Sequence, residues 1–341
     1  MTEERSWAQQ IVDRFFEVRE FPTQLDCDDH ARRITGASTV REVDIPGSLS
    51  YTVLCTDSSD ERPGLIVSFR QRESVLDQTV IELARFIHGD LVPAATFHGN
   101  MPDSDPPLLV YTMACLSDSP CLQLFSTETE LSPRDEARYM CFVEHLARYF
   151  ARCWLNPQPV DPTVSANYRD AIYHQLERIR NAPPLILSST TISELECSLP
   201  DLFSQEYMQV LTHNDLSQTN ILISVDNFKI TGIVDWSLAK VLPFGMELDT
   251  LLLSTRYMDL SGWHNYTCRE RMISYFWDEF WAPCRGFDDK RQHEIRTMAM
   301  QATKIGAVLR YAFQRNADGS PSEELTTSNW ALKTLKTLLR C

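Results

Sequence analysis

The chain reads as an α+β protein in two lobes. A small antiparallel-sheet lobe spans residues 1–113, and a larger, mainly helical lobe spans 114–341. Two observations predict this. From about Val40 the spacing of apolar residues shortens to two, the period of a strand, and after Met113 it lengthens to the helical period. The third informative feature is a set of polar residues between Leu211 and Asp249, where short strand patterns interrupt the helical half.

Residues 1–35 carry a helical pattern, with Trp7, Ile11, Val12, Phe15 and Phe16 on one face. Val40–Ile45 and Ser50–Cys55 read as paired strands around a turn at Pro46-Gly47. A polar turn over Asp57–Pro63 leads to a strand at Leu65–Phe69. Leu76–His88 is predicted helical, with Leu76, Val80, Leu83, Ala84 and Ile87 on its apolar side. A strand over Leu108–Met113 follows a loop rich in Pro and Asp. Helices are then predicted at Pro133–Cys153, Ala166–Ile179, from Tyr207 onward, at Glu270–Trp281, Gln292–Phe313 and Asn329–Leu339, the last after a loop at Ala317–Pro321. No internal repeat or low-complexity tract is present.

At 341 residues the chain can bury a sizeable core, and 43% hydrophobic with 23% charged residues is ordinary for a globular protein. No apolar run approaches the ~20 residues that span a bilayer. The first residues, with Glu3 and Glu4, lack the apolar core of a secretion signal. Ten cysteines sit singly, without zinc-type spacing, which fits reduced thiols and a cytoplasmic location. A net charge of −15 argues against a nucleic-acid partner. It could steer a cationic, amine-bearing small molecule, although a solvated acidic surface explains it more simply.

The polar set is His213, Asp215, Asn220 and Asp235. Its order is His-x-Asp, then Asn five residues on, then a hairpin, then Asp. Phosphoryl transfer asks for this kind of set. It needs an orienter or base for the attacking hydroxyl, and hard ligands for metal ions on the phosphate oxygens. Asp215 lies in a tight loop and suits the first role. Asn220 and Asp235 offer an amide oxygen and a carboxylate, which suit Mg²⁺. A turn signal at Asp226-Asn227 makes Ile221–Ile223 and Ile230–Val234 a hairpin, with Asn220 and Asp235 at its two strand ends.

HNDLSQTN followed by IVDW resembles the aminoglycoside phosphotransferase and choline kinase-like family, most narrowly its fungal aminoglycoside phosphotransferase-like members. IPGSLSYTV, LIVSFRQRESVLD, IHGDLVPAATFHGN, LLVYTM and VLPFGMELDTLL are similar to that family's segments and come in its order, over roughly residues 40 to 315. The resemblance implies a bilobal protein-kinase-like fold and an ATP- and Mg²⁺-dependent small-molecule kinase. It implies Asp215 as the catalytic residue, His213 beside it as a brace of the loop or as a base, and Asn220 and Asp235 as metal ligands.

For the nucleotide, the resemblance implies Arg70 on the phosphates, where many relatives have Lys. A guanidinium can pair two phosphate oxygens at once. The partner of Arg70 would be Glu82, with Asp77 as a rival that reads better as a helix start. Pro46–Ser50 would be the phosphate loop. It has only Gly47, so hydroxyls of Ser48 and Ser50 would help. Adenine would meet the backbone near Tyr111, Thr112 and Met113. Asn214 stands where relatives have Gly, and Asn is the side chain most tolerant of positive φ. Asp249 would tie the catalytic loop to the next helix, and Glu247 could face the substrate.

Two rivals stay open. The Arg at position 70, the Gly-poor loop and Asn214 fit a kinase-like binding protein that has lost transfer. A third reading keeps ATP and uses it for other chemistry. The acceptor is not legible, because one fold serves many alcohols and amines. The aromatic run Tyr275, Phe276, Trp277, Phe280 and Trp281 is either core or a pocket wall.

Overall fold

A computed structural model describes residues 6–57, 64–116, 118–182, 186–316 and 319–340. The predicted turn at 58–63 and the loop residues 317–318 lie outside the described residues. The chain divides into two compact units. Unit 1 is Met1–Asp118 with Gly232–Ser237, and unit 2 is Ser119–Thr231 with Leu238–Cys341.

Unit 1 opens with two helices, α1 (Trp7–Glu17) and α2 (Gln24–Thr35), where one helical region was expected. Pro22 separates them, because its ring and missing N–H stop a helix. Thr23 and Asp26 then form a capping box that starts α2. Val12 and Phe15 face the core, while Trp7 is 61% exposed despite its place on the apolar face. Strands β1 (Thr39–Glu42), β2 (Ser50–Thr56) and β3 (Leu65–Arg70) follow, then α3 (Gln78–His88), β4 (Ala95–Asn100) and β5 (Leu109–Ala114). They make one antiparallel sheet in the order β1-β2-β3-β5-β4. β4 was not foreseen. It is an edge strand with a mostly exposed pattern, so it lacks the apolar alternation that marks a half-buried strand. Asp77 caps α3 by accepting the amides of Thr79 and Val80. Val53, Val67, Phe69, Leu108 and Val110 pack against α1 and α2 to form the core.

Unit 2 begins with β6 (Ser119–Pro120), α4 (Pro133–Leu155), α5 (Pro162–Asn181) and α6 (Ser189–Leu202). Next come β7 (Gln209–Thr212), β8 (Ile221–Ile223), β9 (Ile230–Ile233, whose last two residues fall in unit 1) and β10 (Lys240–Pro243). The remainder is α7 (Asp249–Ser254), β11 (Arg256–Met258), β12 (Trp263–Asn265), α8 (Arg269–Trp281), α9 (Asp289–Tyr311), β13 (Phe313–Arg315), β14 (Pro321–Leu325) and α10 (Asn329–Leu339). The helix expected from Tyr207 is a strand. β7 pairs antiparallel with β10, Thr212 opposite Lys240, and this distant partner overrides an ambiguous apolar run. The helix before it, α6, was not foreseen and carries Pro200 inside it.

In the aromatic run of α8, Phe276, Trp277 and Phe280 are core, and Tyr275 and Trp281 are half-buried. Phe276 and Phe280 are fully buried and meet Phe150 and Trp154 of α4 edge to face, with ring centroids 5.9 and 6.2 Å apart. Helix α9 approaches the turn after β10 very closely. A Cβ on Gly306 would lie 1.9 Å from the Met246 carbonyl oxygen, so only glycine fits there. That approach fixes the segment carrying Glu247. No helix among the described residues is long and apolar enough to cross a membrane.

Candidate active site

The loop His213–Asn220 joins β7 to β8 in unit 2. Two backbone amides fix its start. His213 N–H donates to Glu247 Oε1 at 3.1 Å, and Asn214 N–H donates to Oε2 at 2.8 Å. Asn214 then turns the chain through φ +62, as its residue type allows. The Asp215 amide donates to His213 Nδ1 at 3.3 Å, and His213 is fully buried. The Ser217 amide reaches the Asp215 carbonyl at 2.7 Å, and the Asn220 amide reaches the Ser217 carbonyl at 3.0 Å. Asn220 Nδ2 donates to the Asp215 carbonyl at 2.8 Å and to its carboxylate at 3.1 Å. Asp215 and Asn220 are thus brought together. The hairpin turns at Asp226-Asn227 as read, with Asn227 Oδ1 accepting the Lys229 amide at 3.0 Å.

Two readings of this region are corrected. Glu247 does not face a ligand. It is 2% exposed and holds the loop, and burial pushes its carboxyl up to about 7. Asp249 does not hold the loop through its carboxylate, which pairs with Arg310 of α9 at 2.5 Å and accepts from Tyr311 at 3.3 Å. Its neighbour Thr250 reaches the loop instead, donating to the Leu216 carbonyl at 2.5 Å.

Sequence reading missed Arg315 altogether. Its Nη1 lies 2.9 Å from Asp215 Oδ1, and its Nη2 reaches the Asn214 carbonyl at 3.4 Å. Nothing local marks an arginine one hundred residues from Asp215 as its partner. Glu247 did carry a signal, a lone acid in the apolar run Val241–Leu248.

Unit 1 holds the other candidates. Arg70 ends β3, opposite Ser50 of β2 and Leu109 of β5. Its side chain is 6% exposed. Nε donates to the Ser74 carbonyl at 2.6 Å, and Nη2 donates to Ser74 Oγ and to Asp235 Oδ1, each at 2.7 Å. The ionic partner of Arg70 is therefore Asp235, not Glu82. Glu82 lies on the exposed side of α3 and accepts from Gln78 one turn earlier. Asp235 sits at φ +63, also accepts from Ser237 Oγ at 2.9 Å, and is 39% exposed. Ser50 is buried at the start of β2 and Ser48 is exposed in the preceding turn. A Cβ on Gly47 would come within 2.7 Å of Ser50 Oγ. Tyr111 is buried in β5, and Met113 two residues on is half-buried. Burial raises the Tyr111 phenol above its usual range.

A cavity of about 630 Å³ opens within unit 2. Asp215, Ser217 and Arg315 lie on its wall, and Tyr257, Trp263, Tyr266 and Trp330 give it an aromatic side.

Residues 122–269 match the model of the phosphotransferase enzyme family. The chain's fold is the bilobal, protein-kinase-like one that the resemblance implied. A candidate aminoglycoside phosphotransferase from Ralstonia eutropha is similar over 93% of this chain and 95% of its own, with 12% identity and a TM-score of 0.54. An ethanolamine kinase from Plasmodium vivax covers 90% of this chain and 88% of its own, with 9% identity and a TM-score of 0.50. At these identities the likeness is one of fold. No curated protein matches the sequence.

Proposed function

We propose that the protein is an ATP- and Mg²⁺-dependent kinase that transfers the γ-phosphoryl group to a hydroxyl of a small molecule. One observation carries the reading. The Asn220 side chain spends its nitrogen on the Asp215 carbonyl and carboxylate, so the catalytic candidate and a metal-ligand candidate form one preset pair. The remaining polar end of Asn220 is its amide oxygen, a hard donor that fits Mg²⁺. Asp235 supplies a second, partly exposed oxygen donor. A Mg²⁺ ion held by these residues would neutralise charge on the phosphate oxygens.

In this reading Asp215 orients the acceptor hydroxyl and receives its proton. The hydroxyl oxygen forms a bond to the γ-phosphorus as the bond to the bridging oxygen of ADP breaks. His213 braces the loop, since its Nδ1 accepts the Asp215 amide and its proton sits on Nε2. Arg70 contacts phosphate, with Ser48 and Ser50 beside it and Tyr111 and Met113 along the adenine. Asp215→Asn tests the assignment. ADP release with an accepted alcohol should fall about 10²–10⁴-fold, with the melting temperature little changed. Equal turnover by both proteins would remove Asp215 from the chemistry.

One observation favours a second reading, nucleotide binding without transfer. Arg70 already has Ser74 and Asp235 as partners through Nε and Nη2, so a phosphate must compete for that edge of the guanidinium. A thermal shift with Mg-ATP in the absence of any acceptor-dependent ADP release would select that reading.

A further inference from the structure

The cavity beside Asp215 has a charge opposite to that of the chain. The protein carries −15 overall. Among the described residues, the cavity wall carries three arginines, Arg256, Arg310 and Arg315, against two aspartates, Asp215 and Asp249. Each carboxylate is paired with a guanidinium, Asp249 through Oδ2 while its Oδ1 is buried without a hydrogen-bond partner among the described residues. Asp249 is 1% exposed and bound by Arg310 and Tyr311. Asp215 is bound by Arg315 and Asn220. An ammonium group entering at Asp215 meets a carboxylate already paired with Arg315, and Asp249 is 1% exposed within its pair with Arg310. A polycation therefore finds little to bind.

Arg315 is different. It sits on the short strand β13 and its side chain is 29% exposed; Nη1 holds Asp215 and Nη2 reaches the Asn214 carbonyl, and each nitrogen keeps a second N–H for a ligand. A planar carboxylate matches the guanidinium fork. The aromatic side of the wall suits a flat apolar body, with Tyr257, Trp263, Tyr266 and Trp330 as its faces. Aromatic faces alone would equally suit a quaternary ammonium ion. The excess of guanidinium groups decides against it.

Resting on the kinase reading above, we infer that the acceptor is an aromatic hydroxy acid. Its carboxylate sits on Arg315, its ring lies against Tyr257 and Trp263, and its hydroxyl lies at Asp215. The 2.9 Å between Arg315 Nη1 and Asp215 Oδ1 requires the hydroxyl to lie within a few bonds of the carboxylate. Arg315 is then the residue that determines specificity. The step is the transfer already written, with ATP as donor and the acid's hydroxyl as acceptor.

The test uses the full chain with Mg-ATP and follows ADP release. Its acceptors are a panel of aromatic 2-hydroxy acids led by mandelate, the neutral 1-phenyl-1,2-ethanediol, choline and kanamycin. The best hydroxy acid should exceed the diol by about tenfold or more in kcat/KM, as one charge-assisted contact provides, with both cations below the diol. Arg315→Ala should bring acid and diol to within about twofold of each other, chiefly through the KM of the acid, and Arg315→Lys should restore part of the preference. A cation as best acceptor would overturn the inference, as would an Arg315→Ala variant that slows acid and diol equally. Calorimetric titration without nucleotide separates this inference from the kinase reading. If no acceptor promotes ADP release, the kinase reading fails, while tighter binding of the acids than of the diol and choline still supports the cavity assignment. Binding of choline or kanamycin in preference, or binding of none of the panel, overturns it. Should Arg315→Ala fail to fold, Tyr257→Ala replaces it, and unchanged acid affinity in that variant counts against the proposal.

Discussion

In unit 1 the carboxylate proposed as a metal ligand is held side chain to side chain. Asp235 takes a guanidinium hydrogen of Arg70 and the hydroxyl of Ser237, and stays 39% exposed. In unit 2 the loop carrying Asp215 is held mainly through its backbone. The fully buried Glu247 accepts two amides just before Asp215, and the rim of the loop meets Arg315. The first device is a contact that a ligand can exchange. The second is a scaffold that no ligand reaches. The difference teaches that a strongly perturbed titration need not mark a catalytic group. Glu247 is pushed up to about 7 because it is buried, and its work is support.

The sharpest way to break this comparison is to remove the scaffold. Glu247→Ala leaves two amides without their acceptor in a dry site and should cost about 3–5 kcal/mol in urea unfolding. A loss below about 1 kcal/mol would mean that the loop stands without Glu247.

The pH dependence of stability should follow the same residue. Its carboxyl titrates near 7 when folded, against an ordinary value of 4.5. Across that window the folded protein holds a proton that the unfolded chain releases. The stabilisation is present below about 4.5 and is lost as pH rises through about 7. Glu247→Gln cannot titrate. Its stability relative to wild type should therefore rise between pH 5 and pH 8, by on the order of 2–3 kcal/mol. A gap that stays constant with pH would show that Glu247 is not the titrating group.

On the unit 1 side, Arg70→Lys keeps the charge and loses the fork. A single ammonium cannot reproduce the planar geometry that serves both Ser74 and Asp235. Nucleotide affinity should weaken by about 1–2 kcal/mol, roughly a tenfold change in the dissociation constant, with a small loss of stability. Unchanged affinity would mean that Arg70 serves the Asp235 contact alone.

The smallest effect belongs to Asn214. Asn214→Gly suits φ +62 and should leave stability within about 1 kcal/mol of wild type, whereas Asn214→Val should lower it clearly. Thermal unfolding of the pair checks this. A tolerated valine would show that the backbone there is free to relax.

The legible parts of the site share a physical trait. Asp215 and Asn220 are five residues apart in one tight loop, so spacing alone brings them together. Asp77 reads as a cap because capping is decided within three residues. The illegible parts depend on distant partners. Arg70 was given Glu82, on the next helix, and in the fold it meets Asp235, one hundred and sixty-five residues away. Asp249 was given the loop, and its carboxylate turns to α9. Tyr207 seemed to begin a helix because the run that follows is ambiguous until β10 lies beside it.

By itself the sequence determined the two-lobed α+β class, most helices of the larger lobe and the polar loop, since periodicity, capping and turn chemistry act over a few residues. Tertiary structure alone decided which acid braces the loop, which cation meets each aspartate, and that a chain of −15 encloses a cavity rich in arginine. Burial and charge pairing depend on what the rest of the chain brings alongside, and short-range pattern carries no record of that.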